Sequence, residues 1–188
     1  MNQEQLLVTA IGCLVAAALV AFLIMRKRRS EKLRAHFGAE YERVVRHEGG
    51  VREGEAVLQF RQKRVEKLNI HPLSAEQQAD FGSRWEEVQS DFVDDPAGAV
   101  TIADRLVTEA MRARGYPMGD FEQRAADISV DHPVVVDEYR AAHSIALRHD
   151  RGQASTEDLR KAMVHYRTLF QDLLAGQPMH KEKPRKEA

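Results

Sequence analysis

Twenty consecutive residues without a charge, Leu6 to Met25, are followed directly by Arg26, Lys27, Arg28 and Arg29. At about 1.5 Å of rise per residue, twenty helical residues cover about 30 Å, the hydrocarbon thickness of a bilayer. The pattern predicts a transmembrane helix that anchors the chain to the lipid bilayer through residues 6–25. A cleaved secretory signal would carry its basic residues ahead of the apolar run. Here only Asn2, Gln3, Glu4 and Gln5 stand there, and the four basic residues behind the run have the character of a stop-transfer flank.

Basic flanks stay on the cytoplasmic side of a membrane. Arg26, Lys27, Arg28, Arg29, Lys32 and Arg34 against Glu31 give the C-terminal flank a charge of +5, whereas Glu4 is the only charged side chain before the run. The expectation is a single-pass inner (plasma) membrane protein with its N-terminus outside and residues 26–188 in the cytoplasm. Cys13, the one cysteine, lies inside the apolar run, so no disulfide can form within the remainder. Arg26 to Arg29 are also the expected membrane-surface residues, since each basic side chain near anionic headgroups gains about 1 kcal/mol. Gly12 and Ala16 have the small-xxx-small spacing that lets two membrane helices approach, which admits a homo-oligomer.

From Ala35 to Ala175 the chain holds 18 basic and 25 acidic residues, a net of −7. Binding to nucleic acid calls for a basic stripe that neutralises phosphates, and an acidic body argues against that class of partner. The length suffices for one domain with a core.

Apolar spacing makes that domain all-α. Val100, Ala103, Leu106, Val107, Ala110 and Met111 share one face of a helix from Pro96 to Arg114, with Asp95 as N-cap, Pro96 at the first position and Gly115 as terminator. Ser155 caps a second helix striped by Leu159, Met163, Tyr166, Phe170, Leu173 and Leu174. A third, Pro133 to Arg148, carries Val136, Tyr139, His143, Ala146 and Leu147, with Asp131 as its cap, making three helices after residue 95. Ser74 and Gln77 have capping-box spacing ahead of Phe81, Trp85, Val88 and Phe92. Ser30 to His47 and Glu53 to Leu68 form two thinner amphipathic helices broken at Gly49 and Gly50, read as a charged stalk in preference to a hairpin packed on the domain. The expected organisation is an anchor with basic flank over 1–29, a charged helical stalk over 30–73, a small helical bundle over 74–175 and a disordered tail over 176–188.

The stretches DFVDDPAGAVTIADRLVTEAMRARGYP, GDFEQRAADISVDHPVVVDEYRAAH and STEDLRKAMVHYRTLF, residues 91–117, 119–143 and 155–170, resemble a family of uncharacterised bacterial proteins with one N-terminal membrane helix and a helical cytoplasmic region. The resemblance implies architecture for the last half of the chain, and it carries over no activity, cofactor or catalytic residue.

The loop Arg114 to Phe121 is the most distinctive local stretch. Two glycines and a proline shape it, and shaped loops on rigid helices commonly bind partners. Tyr116, Met118 and Phe121, with Arg114 at the rim, are the candidate contacts for another protein. The competing site is an enzyme or small-molecule pocket built from Asp127, Asp131, His132 and His143. No two histidines stand at the four-residue spacing of a helical zinc site, and the sequence lacks phosphate-loop, dinucleotide and nucleophile-elbow motifs. The reading is a membrane-anchored protein-interaction module with no implied metal or cofactor.

Overall fold

The computed structural model describes residues 3–176, with side chains from Gly12 onward. The tail expected to be disordered, from 177 on, lies outside the described residues. Among the described residues eight helices account for the architecture: α1 Gln3–Phe37, α2 Ala39–His47, α3 Val51–Val65, α4 Ala75–Asp91, α5 Pro96–Ala113, α6 Phe121–Asp131, α7 Val136–Asp150 and α8 Thr156–Ala175. No strand occurs among the described residues.

Local capping chemistry explains where half of them start. Ser74 and Gln77 form a reciprocal capping box on α4, and Asp95 accepts from the Gly98 amide ahead of Pro96 on α5. Ser155 pairs with Asp158 in a second capping box on α8. In each case a side-chain oxygen satisfies an amide that the first helical turn leaves unpaired.

Four helices follow residue 95, not three. The additional one, α6, is capped by Asp120, which accepts from the Gln123 amide at 2.8 Å. Its buried face mixes Ala125, Ile128 and Val130 with Asp127, Ser129 and Asp131, so the apolar stripe that betrays a helix is diluted by polar residues. The helix α7 accordingly begins later than Pro133, and Asp131 ends α6 and does not cap α7, whose N-cap position is Val135 with no side-chain bond. Val136 and Tyr139 face the core as expected. Ala142 and Ile145 continue that face, while His143 is half-buried and Leu147 is exposed.

The larger core fills the space between α4, α5, α7 and α8, with Leu106, Val107, Tyr139, Tyr166, Phe170 and Leu173 at or near zero exposure. Trp85 stacks on Phe170 with ring centroids 4.7 Å apart. A smaller core joins Leu33 and Phe37 of α1, Tyr41 and Val44 of α2, Leu58 and Val65 of α3, and Val130 of α6. Residues 30–73 therefore do not stand off as a stalk. They form a hairpin docked on α6, the alternative of the two arrangements. Gly54 makes the hairpin tight, because a Cβ there would lie 2.8 Å from the Val45 Cα.

Ion pairs reinforce that docking. Glu40, with no exposed surface, receives Arg140 through two bonds of 2.7 and 3.0 Å and Arg61 through one of 2.7 Å. Arg61 also reaches the Ser129 hydroxyl at 3.3 Å, and the His36 ring donates to the Val130 carbonyl at 2.8 Å. One carboxylate thus ties α2 to α3 and α7.

The first helix runs without interruption from the apolar run into the smaller core, where Phe37 is fully buried. From Gly12 to Arg29 every side chain is exposed, including Leu14, Leu19, Phe22 and Met25 at 56–70%. No helix among the described residues is long and apolar enough to cross a membrane. The described side chains cover Gly12 to Met25 of the expected span, and Leu6 to Ile11 lie outside them.

Candidate functional site

Four of the sequence-selected residues converge where the C-terminal ends of α5, α6 and α8 meet. Arg114, the C-cap of α5, is fully buried and does not rim a surface. Its Nη1 donates to the Leu173 carbonyl at 3.0 Å, satisfying a carbonyl in the last turn of α8, and to Nε2 of His132 at 3.1 Å. A guanidinium only donates, so Nε2 accepts and Nδ1 carries the proton that His132 donates to the Asp172 carboxylate. Beside them the Tyr116 hydroxyl donates to Asp131 at 2.7 Å. Tyr116 is 4% exposed, and burial with the adjacent Asp131 carboxylate pushes its hydroxyl far above the usual tyrosine range. Asp172 joins this cluster from α8; a half-exposed carboxylate late in an amphipathic helix gives no sequence signal.

The other candidates are spent elsewhere. Asp127 pairs with Arg64 of α3 at 3.0 Å and accepts from Gln123 at 2.9 Å, and desolvation raises its carboxyl against the lowering pull of Arg64. His143 stacks on Phe121 at 3.6 Å between ring centroids, where burial lowers its imidazole. Met118 and Phe121 are half-buried and pack against the larger core. The shaped loop therefore closes the bundle: Arg114 and Tyr116 point inward, and Gly115, at φ +96°, brings the chain so near the segment before α4 that a Cβ would meet the Asn69 carbonyl oxygen at 2.3 Å. Asp131 and His132 lie together, Asp127 and His143 apart from them, and no group of metal-binding side chains occurs among the described residues.

A surface of a different kind lies between α4 and α8. Trp85 and Met163 floor a shallow groove of about 140 Å³ beside Phe92 and Val164, and Arg160 and Arg167 stand over it. Val164 is 51% exposed on an otherwise polar side of α8, and neighbouring Val93 is 81% exposed. The Trp85 indole N–H is satisfied by Gln89 at 2.8 Å. Arg160 is held by Glu157 at 2.7 Å, whereas Arg167 has no carboxylate partner among the described residues. This groove was missed in the sequence because Trp85 and Met163 read as ordinary core; the available signal was Val164, an apolar residue off the buried stripe between arginines seven apart.

Comparison with known proteins finds no match to a protein family, to a curated protein or to a solved structure.

Proposed function

We propose that this chain is a membrane-tethered helical interaction module. Residues 6–25 anchor it in the inner membrane with the N-terminus outside, and the cytoplasmic bundle receives an amphipathic, acidic segment of another protein in the α4–α8 groove. The observation that carries the tether is the uncovered, all-round apolar surface of α1 from Gly12 to Met25. A helix apolar on every side needs an apolar surrounding. Together with Leu6 to Ile11 the run reaches bilayer length, and Arg26 to Arg29 supply the cytoplasmic flank.

The groove supports the partner half of the proposal. It has an aromatic floor, an exposed apolar side chain and two basic rim residues on a body that carries net negative charge. Amphipathic helices dock into such grooves through side chains at i, i+3, i+4 and i+7, and rim charges select partners of opposite sign. The buried Tyr116, Asp131 and His132 are engaged in internal bonds and Arg114 bonds through Nη1 alone, and together they hold helix ends.

The test is carbonate extraction of membranes containing the full chain, followed by photocrosslinking from Val164 and, as a control, from the still more exposed Val134 on the α6–α7 turn. Retention in the membrane and a discrete protein adduct from position 164 alone, weakened by added salt, are the expected results. Release by carbonate refutes the tether. Identical adducts from both positions, or adducts only to a second copy of the chain, refute the groove assignment.

A further inference from the structure

The geometry points to a specific site for the phosphate of an anionic phospholipid in the groove between α1 and α3, an inference that rests on the tether proposed above. The two helices lie side by side and run in the same direction. Phe22 to Arg29 borders Arg52 to Gln59 in one cleft, and Arg29 to Leu33 borders Gln59 to Glu66 in the next. The N-terminal end of α3 is therefore level with the end of the apolar run, at the height where headgroups lie once residues 6–25 span the bilayer.

The first cleft has a volume of about 490 Å³ and gathers Arg26, Arg29 and Arg52 around a single carboxylate, Glu55. Glu55 is engaged by the Tyr41 hydroxyl at 2.9 Å, and Arg29 is turned toward Gln59. Among the described residues neither Arg26 nor Arg52 has an ion-pair partner, although fourteen such pairs occur among those same residues. Two unpaired guanidiniums from different helices, facing one concave space, suit a phosphate, which accepts bidentate bonds from arginine. Phe22 at the membrane side offers a surface for the first acyl carbons, so a lipid satisfies both ends of the cleft where free phosphate satisfies one.

This assignment differs from the general attraction of a basic flank to a charged membrane, since it requires Arg52, which lies 23 positions beyond Arg29 and is brought there by the hairpin alone. The experiment is native mass spectrometry of the full chain in detergent, titrated with phosphatidylglycerol, with phosphatidylcholine, or with inorganic phosphate. One phosphatidylglycerol is expected to bind per chain in preference to phosphatidylcholine. Arg52→Gln should reduce its occupancy about tenfold, the equivalent of about 1.5 kcal/mol for one hydrogen-bonded contact between charged groups. Arg28→Gln, equally basic and outside the cleft, should change it less than twofold. Equal losses from the two variants, equal occupancy by both lipids, or displacement of phosphatidylglycerol by millimolar inorganic phosphate would each overturn the assignment. Carbonate extraction of the same variants separates the two proposals: a chain that stays in the membrane yet shows no dependence on Arg52 leaves the tether standing and removes the lipid site.

Discussion

Glu40→Ala is the most incisive single perturbation of this fold. The carboxylate has no exposed surface, and the side chains of Arg61 and Arg140 that clamp it are only 15% and 13% exposed. At an effective dielectric of about 20, unit charges about 4 Å apart attract by about 4 kcal/mol, and Glu40 has two such buried partners, with the more exposed Arg43 at 3.7 Å as a third. Desolvation of the three ions cancels much of this gain, so the intact triad adds little net stability. Truncation is another matter, because it leaves Arg61 with the Ser129 hydroxyl and Arg140 with the exposed Asp137 in place of a buried carboxylate, and removal of one member of a buried pair costs about 3–5 kcal/mol. For a chain of this size 1 kcal/mol corresponds to about 2–4 °C in Tm, which puts the expected drop at roughly 12 °C. Trp85, the sole tryptophan, reports unfolding of the larger core, and amide hydrogen exchange reports the hairpin. Faster exchange in α2 and α3 should appear well below the Tm read from Trp85 fluorescence. The cycle of Glu40→Ala, Arg140→Ala and the double variant should give a coupling of about 1–3 kcal/mol. A Tm within 1 °C of the parent, or additive single effects, would refute the claim that this carboxylate holds the hairpin to the bundle.

Tyr116→Phe removes the hydroxyl that donates to Asp131, which is 5% exposed, and should cost about 1–3 kcal/mol in urea unfolding; an unchanged midpoint would refute the contribution of this bond. Burial lowers the His143 imidazole below its ordinary 6.5, so the native state binds fewer protons than the unfolded state once pH falls under that value. Stability should therefore decline as pH drops from about 6.5, and His143→Phe, which keeps the stack on Phe121, should flatten that part of the profile; an unchanged pH slope would contradict the assignment. Two glycine substitutions should move in opposite directions. Gly115→Ala, with positive φ and a clash with Asn69, should cost more than about 1 kcal/mol, whereas Gly82→Ala, in open space on α4, should gain up to about 1 kcal/mol in helix propensity, both read from denaturant midpoints.

What could be read in the sequence was chiefly local. Ser74 with Gln77, Asp95 with Pro96, and Ser155 each mark a helix start through bonds spanning three or four residues, and all three operate as the spacing implies. The helix α6 escaped notice because its buried face includes Asp127 and Asp131, whose partners Arg64 and Tyr116 come from other elements. Arg114 illustrates the same limit more sharply. At the end of a helix and next to glycine it looks like a surface cation, yet a carbonyl of Leu173, 59 positions later, draws it fully inside. Glu40 likewise reads as one of many charges on a polar face until Arg140, 100 positions away, closes on it.

These long-range bonds also settle how the bundle is joined to α1. A flexible joint at Gly49 and Gly50 would have let the domain swing, but that turn lies inside the hairpin between α2 and α3. The break that follows the apolar helix is at Gly38, one residue past Phe37, which is already locked in the smaller core with Leu33. Helical hydrogen bonding continues through Arg26 to Arg29 with no loop between the exposed apolar stretch and the packed end. Under the proposed tether, rotation of α1 about its axis is then transmitted to the hairpin, and through Glu40 and Arg140 to α7, as a rigid displacement. If the tether and the groove operate as proposed, the packing of Leu33 and Phe37 in the smaller core is what would fix the orientation of the groove relative to the membrane.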